Sequence, residues 1–213
     1  MSDPANYEAW YRTPRGAWIA EREFALMMAL LQPQIPATLV DVGAGTGQFS
    51  RRFATAGLSV TALDPAPAML DYARTRGAGR AYVLGTAQAL PFRDRAFDYA
   101  SAVTSLCFVP EPEQALSELW RISRRGVILG LLNRHSLLHW QKAERGGYRG
   151  AHWDTVDAVR RWSDSLRGVG DCRMGTAVFL PGGGPLSRAV ERIAPQRLPW
   201  GGFLGVCLLK NVA

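Results

Sequence analysis

A glycine-rich segment between two apolar runs is the feature that most constrains the fold of this chain. The apolar run at 38–42 leads directly into this segment, and a second apolar run at 58–63 ends at Asp64. Three glycines alternate along the segment: Gly43, Gly45 and Gly47. Because glycine adopts backbone conformations that other residues avoid, the pattern predicts a strand, a tight turn, a helix from about residue 47 and a second strand. This is the start of a parallel α/β sheet.

The same segment predicts a nucleoside-binding turn. The free amides at the start of the following helix would face a ligand, and Asp64, 23 residues after Asp41, stands where a carboxylate can accept two hydrogen bonds from a ribose diol. A dinucleotide fingerprint would place its third glycine at position 48, which is Gln48, and the G-x-x-x-x-G-K-[ST] phosphate loop is absent. The spacing therefore disfavours both of those ligand classes.

The rest of the chain continues the alternation of strands and helices. Strands are predicted at 38–42, 58–63, 80–84, 97–103, 126–132, 172–180 and 203–210, and helices at 47–56, 66–76, 111–123 and 152–167. The near-continuous apolar run 126–132 is typical of a strand buried on both faces. The predicted fold class is α/β, a Rossmann-like, seven-stranded, mostly parallel sheet with an antiparallel last strand and helices on both faces.

Length and composition predict one domain over residues 1–213, since domains commonly hold about 100–200 residues. Within it, 1–35 is expected to form an N-terminal lid and helix, 36–132 the ligand-binding core, and 133–213 a substrate cap and the last strands. No apolar run reaches the roughly 18 residues of a membrane span, and the start of the chain does not resemble a secretory signal. The sequence therefore predicts a cytoplasmic protein.

The charged residues and the cysteines exclude other classes of site. The net charge is +7, but basic residues come singly or in pairs, which argues against a nucleic-acid partner because phosphate binding needs clusters. The three cysteines are far apart and lack C-x-x-C spacing, so neither a disulfide framework nor a metal site is predicted.

Several motifs together resemble one known family. They are Asp41-x-Gly43-x-Gly45-x-Gly47, Leu63-Asp64-Pro65, Leu90-Pro91-Phe92, Phe97-Asp98 and Leu116-Ser117-Glu118-Leu119. Across about residues 36–133 the chain resembles the type-11 group of class I S-adenosylmethionine-dependent methyltransferases, whose relatives include quinone- and biotin-pathway enzymes. The resemblance implies S-adenosyl-L-methionine as cofactor and a methyl group transferred to a small-molecule acceptor by direct displacement.

The resemblance also implies which residues bind the cofactor. Asp64 would hold the ribose, and Asp41 would orient the turn and meet the amino group of the ligand, directly or through water, or else only satisfy backbone amides of the turn. The family places an acidic residue after strand three for adenine, where this chain has Thr86, so adenine contacts are expected from backbone and packing. The full predicted set is Asp41, Gly43, Ala44, Gly45, Thr46, Gly47, Asp64, Pro65, Met69, Thr86, Ala87, Val103, Thr104, Tyr11 and Trp18.

The acceptor and any proton-transfer group are predicted from residues before strand one and after strands four and five. His135 and His139, four residues apart, are the candidate catalytic bases, or else the polar face of a helix covering the pocket. Acceptor contacts are predicted for Trp10, Cys107, Trp140 and Tyr148, with an unreactive thiol as the alternative for Cys107. Basic and apolar residues of 133–148 leave peripheral membrane contact open. Alternative functions are methylation of a quinone-type lipid or of RNA, and binding of the cofactor without catalysis.

Overall fold

A seven-stranded sheet forms the centre of the computed structural model, which describes residues 3–211. The strands are β1 Ala37–Val42, β2 Leu58–Asp64, β3 Ala81–Leu84, β4 Phe97–Val103, β5 Ser123–Leu132, β6 Val169–Ala177 and β7 Phe203–Lys210. Their order across the sheet is β3-β2-β1-β4-β5-β7-β6. The first five strands in this order, β3, β2, β1, β4 and β5, are parallel to one another. Strand β7 pairs antiparallel with both β5 and β6. The predicted fold class is confirmed.

Eight α-helices surround this sheet within residues 3–211. They are α1 Pro4–Arg12, α2 Pro14–Leu31, α3 Gln48–Thr55, α4 Pro67–Thr75, α5 Pro112–Ile122, α6 Leu137–Lys142, α7 Val156–Asp164 and α8 Pro185–Ile193. Successive strand residues point to opposite faces of the sheet, and both faces of the central strands are apolar. Val127 of β5 packs in the core cluster that contains α5 and α7, and the next residue, Ile128, packs with α2 and α3.

Two helices were not predicted. The chain 4–12 is helical because Asp3 accepts a hydrogen bond from the Asn6 amide at 3.1 Å and Pro4 occupies the first helical position, where its missing N–H costs nothing. The helix α8 also begins with a proline, Pro185. In both helices the proline at the first position is a sequence signal for a helix start. The helices are too short for the spacing of their apolar residues to indicate a helix.

One predicted helix and one predicted strand differ from the observed elements by three residues or more at both ends. The helix predicted at 152–167 begins at Val156, because Thr155 has an extended backbone and its hydroxyl accepts from the Ala158 amide at 3.1 Å. The strand predicted at 172–180 is instead β6, which ends at Ala177, because Val178 has a left-handed backbone with φ +64° and so leaves the extended conformation.

The carboxyl ends of β1, β2 and β4 meet at one edge of the sheet. Strand β1 lies between β2 and β4, and the chain leaves it first toward β2 and then crosses back to β4. Such a reversal of strand order opens a crevice at the carboxyl edge in which open α/β sheets bind ligands. The glycine-rich turn after β1 borders this crevice.

Candidate active site

The glycine-rich turn has little room for side chains. Gly43 and Gly47 have left-handed backbones, with φ +73° and +78°. A Cβ atom at Gly43 would lie 2.3 Å from the Ser105 Cβ, and one at Gly47 would lie 2.2 Å from the Ala78 Cβ. Both positions therefore require glycine for conformation and for space. At Gly45 a Cβ would meet only the Tyr7 ring, at 3.9 Å, so the turn leaves open space on that side.

Asp41 lies under this turn rather than at the surface of a cavity. Its carboxylate is buried and accepts hydrogen bonds from the hydroxyls of Ser50 at 2.6 Å and Ser101 at 2.8 Å. Burial raises the pKa of Asp41, while these two hydrogen bonds act in the opposite direction. The carboxylate thus connects the end of β1 with α3 and β4, and its polar partners are hydroxyls rather than backbone amides of the turn.

Asp64 stands at the carboxyl end of β2, facing the turn. One carboxylate oxygen accepts from the Gly45 amide at 2.8 Å and the other from the Ala66 amide at 2.9 Å. Burial raises its pKa, and the two amides oppose that shift. Each carboxylate oxygen can accept a further hydrogen bond, so Asp64 fixes the turn and keeps acceptor capacity for a ligand.

Two cavities adjoin at this edge of the sheet. The first, here called the turn cavity, has a volume of about 360 Å³ and includes Gly43, Asp64 and Thr86 in its lining. The second, here called the aromatic cavity, has a volume of about 290 Å³ and lies among α1, α2 and the segments after β4 and β5. Tyr7, Thr104 and Phe108 line both. The cavities therefore adjoin at these three side chains, here called the shared wall.

The shared wall contains a strained residue. Thr104 has φ +47° and donates its amide to the Gly130 carbonyl at 2.7 Å. A β-branched residue rarely adopts this backbone conformation, and such strain clusters at functional sites. Val178, which lines the aromatic cavity, has φ +64°, and its amide donates to Glu191 at 2.9 Å.

Most residues predicted to bind ligands lie at these two cavities. The turn cavity is lined by Gly43, Asp64, Pro65, Thr86, Ala87, Val103 and Thr104, and the aromatic cavity by Trp10, Tyr11, Thr104, Cys107 and Tyr148. Ala44, Gly45, Thr46 and Gly47 form the turn itself. Met69 lies on α4, and Trp18 lies on α2 with the Arg188 guanidinium 6.0 Å from its ring centre, so neither lines a cavity.

Three residues predicted after β5 lie outside both cavities. His135 is exposed, and the ring of Trp140 is on the surface, 82% exposed. The His139 ring packs edge-to-face on Trp153, with centroids 5.0 Å apart. Ser136 sets the start of α6, because its hydroxyl accepts a hydrogen bond from the His139 amide at 3.1 Å. In this orientation Leu138 is the α6 residue that lines the aromatic cavity.

Cys107 is a buried thiol in the lining of the aromatic cavity. Its Sγ donates to the Thr104 carbonyl at 3.4 Å. Burial, followed by the nearby Asp154 carboxylate, raises its pKa to about 12. Because the thiolate is the reactive form, this environment favours the alternative reading of an unreactive thiol that shapes the wall.

Glu23 is the main residue that the sequence analysis missed. It lies on α2, is half-buried, and lines the otherwise apolar and aromatic cavity. Burial raises its pKa to about 8, and the charge of Arg52 moderates the shift. The signal was present in the sequence, because Glu23 stands four residues after Ile19 and three before Leu26. Both are buried, so Glu23 shares their helix face.

Helix α1 is attached to the turn through a buried carboxylate. Glu8 accepts from the Thr46 hydroxyl at 2.7 Å and pairs with the Arg51 guanidinium at 2.5 Å. Arg51 also donates to the Thr46 carbonyl at 2.8 Å. These contacts hold Tyr7 and Trp10 of α1 over the two cavities.

Residues 3–211 contain neither a helix that could span a membrane nor a cluster of metal ligands. No helix in this range combines the length and the apolar character that crossing a membrane requires. No three His, Cys, Asp or Glu side chains of this range are grouped as ligands of a metal ion.

The sequence matches known proteins across the core that contains this site. Residues 40–131 match the methyltransferase domain model of type 11. The chain is 44% identical over 93 residues to a malonyl-[acyl-carrier protein] O-methyltransferase of Serratia marcescens, covering 43% of this chain and 36% of that protein. It is 41% identical over 88 residues to a demethylmenaquinone methyltransferase of Renibacterium salmoninarum, covering 41% and 37%. The chain thus matches little more than a third of the length of these relatives.

A solved structure matches over nearly the whole chain. It is an S-adenosylmethionine-dependent methyltransferase of Thermotoga maritima, described as a possible histamine N-methyltransferase, with a TM-score of 0.77 and 26% identity. The match covers 97% of this chain and 95% of that one. With the glycine-rich turn, Asp64 and the sheet order, these likenesses show that residues 40–131 form a type-11 methyltransferase domain and that the chain has the fold of class I S-adenosylmethionine-dependent methyltransferases.

Proposed function

We propose that the protein transfers the methyl group of S-adenosylmethionine to a small-molecule acceptor. The observation that carries the proposal is the pair of adjoining cavities with the shared wall of Tyr7, Thr104 and Phe108. Direct displacement needs the acceptor atom aligned behind the methyl carbon in a site that excludes water. The two adjoining cavities offer one site for each reactant, and the side chains that they share mark where the acceptor atom and the methyl carbon would meet.

The turn cavity suits the cofactor. Asp64 offers carboxylate oxygens for the ribose hydroxyls, and the open side of Gly45 allows a ligand to approach the backbone closely. The hydroxyl of Thr86 and the amide of Gln88 are polar groups of the lining that can meet adenine, where the family has an acidic residue. Bound there, S-adenosylmethionine supplies an electrophilic methyl carbon on a sulfonium.

The aromatic cavity suits a compact acceptor. Its volume of about 290 Å³ is close to the lower end of the ~300–1,000 Å³ range of small-molecule sites. Among the described residues, no lysine, arginine or histidine lines it, which disfavours RNA because a nucleic acid requires basic groups along its path. The label-transfer experiment distinguishes a small-molecule acceptor from a quinone-type lipid and from binding without catalysis.

We also propose that the protein is cytoplasmic, and cell fractionation tests this location.

Label transfer tests the function directly. The purified protein is incubated with methyl-labelled S-adenosylmethionine and a fractionated cell extract, and label is counted in small-molecule, lipid, protein and nucleic-acid fractions. We expect label in the small-molecule fraction. Label in the lipid fraction would support a quinone-type acceptor. Tight binding of S-adenosylhomocysteine without transfer to any fraction would favour a protein that binds the cofactor only.

A further inference from the structure

We propose that the acceptor is an organic amine with an apolar or aromatic body, and that Glu23 is the group that binds its ammonium and removes its proton. This inference rests on the proposed function and names the acceptor class of the same site. It follows from three properties of the aromatic cavity: its single carboxyl group, its aromatic walls, and the absence of basic side chains from its lining among residues 3–211.

Glu23 has no partner in the protein that explains its position. Within residues 3–211 no group donates a hydrogen bond to its carboxyl and no ion pair includes it, although Arg52 acts on it from a distance. Arg52 itself pairs with Glu21 at 2.8 Å. A carboxylate that is partly withdrawn from water and has no partner in the protein is costly, and this cost is offset when a ligand provides a cation and donors. The free carboxyl therefore indicates a ligand that carries both.

The walls of the cavity favour the same ligand. Trp10 and Tyr11 pack edge-to-face, with ring centroids 4.8 Å apart, and Tyr7 packs on Tyr11 at 5.5 Å. Phe108, Tyr148 and Phe203 complete the aromatic lining. Aromatic faces attract ammonium groups, most strongly where water is excluded. An acceptor with a free carboxylate or phosphate would meet Glu23 without any basic side chain of the lining to balance its charge.

The chemistry balances with Glu23 as proton acceptor. The ammonium gives one proton to the Glu23 carboxylate, leaving a neutral amine and a carboxylic acid. The nitrogen lone pair then forms the new N–C bond while the methyl–sulfur bond breaks and its electron pair stays on sulfur. The products are a methylated ammonium and S-adenosylhomocysteine, and Glu23 releases its proton to solvent. An amine whose lone pair is freed in this way is a competent nucleophile.

The pH dependence is set by Glu23 and its neighbours. The titratable or charged groups around it are Tyr7 and Tyr11 of α1, Tyr148, Cys107 after β4, and Arg52 of α3. Burial raises the pKa values of Tyr7, Tyr11 and Tyr148, and the Glu23 charge contributes to each of these shifts. The pKa of Cys107 is about 12. Glu23, with a pKa of about 8, is the group of this set that changes charge near neutral pH. Asp154, which lies near Cys107 but outside the cavity lining, has a pKa that burial raises to about 7, so only the part of a pH profile that Glu23→Gln removes belongs to Glu23.

Ligand binding provides the first test without requiring turnover. The protein is saturated with S-adenosylhomocysteine, and binding of 2-phenylethylamine, 2-phenylethanol and 3-phenylpropionate is measured by calorimetry at pH 8.5. We expect the amine to bind at least tenfold more tightly than the alcohol, and the acid to bind most weakly. Glu23→Gln should remove the preference for the amine, whereas Glu113→Gln, an exposed glutamate of α5, should retain it.

Turnover provides the second test. With methyl-labelled cofactor and an amine acceptor, kcat/KM of the parent should rise with pH up to about 8, as Glu23 loses its proton. Glu23→Gln should lower kcat/KM at least tenfold and abolish this rise. Retained S-adenosylhomocysteine binding with no preference for the amine would overturn the inference alone. Failure of parent and variant to bind S-adenosylhomocysteine would overturn the proposed function together with the inference.

Discussion

Asp64 is the residue on which the proposed cofactor binding depends most. Hydrogen bonds to a charged group contribute about 1.5–3 kcal/mol each, and about 1.4 kcal/mol corresponds to a factor of ten in Kd. We therefore expect Asp64→Ala to weaken S-adenosylhomocysteine binding by at least about a hundredfold in isothermal calorimetry. Asp71→Ala is the matched control, because Asp71 is an exposed carboxylate of α4 paired with Arg74 at 2.7 Å. Equal dissociation constants in folded Asp64→Ala and parent would refute the assignment.

Glu23 also makes a prediction about stability that involves no ligand. Its pKa in the folded protein, about 8, lies above its usual value of 4.5, so between these pH values the folded state binds more protons than the unfolded state. The stability that this shift provides is complete below pH 4.5 and is lost as the pH rises through 8.

Thermal unfolding of Glu23→Gln measures this effect. The amide stays neutral, so the Tm of the variant should exceed that of the parent increasingly between pH 5 and pH 9. We expect a gain of at least about 2–4 °C at pH 9, the shift that ~1 kcal/mol produces in a domain of this size. A Tm difference independent of pH would show that Glu23 is solvated like a surface carboxylate.

At the scale of elements, helix α1 is joined to the glycine-rich turn mainly through one side chain. Glu8 is 6% exposed and holds α1 to the turn through Thr46 and Arg51. Removing hydrogen bonds to a charged group costs about 1.5–3 kcal/mol. Glu8→Gln should therefore speed amide exchange in residues 4–12 by about ten- to a hundredfold, without changing exchange in β1 or β4.

A surface ion pair provides the control for α1. Glu21 pairs with Arg52 at 2.8 Å, but its side chain is 53% exposed, and such pairs contribute little. Glu21→Gln should leave exchange in α1 unchanged. If Glu8→Gln also leaves it unchanged, packing of Tyr7 and Tyr11 rather than the carboxylate holds the helix.

The elements also show how far the sequence predicts the fold and the site. Strands β1 to β5 were predictable because apolar runs and glycine turns are local signals, and the position of Asp64 was predictable because it is the last residue of one of these strands. Some residues of the family-like motifs have structural roles. Asp98, for example, accepts from the Thr38 amide and hydroxyl at 2.9 Å and so connects β1 with β4.

The acceptor side was less predictable because its residues come from distant parts of the chain. Helical spacing places Glu23 on the same face of α2 as Ile19 and Leu26, but which cavity that face borders depends on the packing of α2 on the sheet. His135 and His139 follow β5 closely, yet the cap at Ser136 and the pairing of Asn133 with Asp154 direct α6 so that Leu138 lines the cavity. The position of His135 and His139 in the chain predicted that they lie near the carboxyl edge of the sheet, but it did not predict whether their side chains face the cavity.

At the scale of the whole molecule, cofactor binding should be coupled to the stability of the complete sheet. The turn cavity joins residues after β1, β2, β3 and β4, so local opening at any of these strand ends disturbs the site. A ligand that binds only the folded state stabilises it by ~2.7 kcal/mol at a hundred times its Kd. In a domain of this size that corresponds to a rise in Tm of about 5–10 °C.

Differential scanning calorimetry measures this coupling. With S-adenosylhomocysteine at a hundred times its Kd, the parent should unfold in one transition shifted upward by this amount, because residues of four strands form the cavity together. Asp64→Ala should show almost no shift at the same ligand concentration, and NADH should shift neither protein, since the turn lacks the dinucleotide spacing at Gln48. Two transitions, of which only one responds to the ligand, would show that the part of the chain that binds the cofactor unfolds independently of the rest.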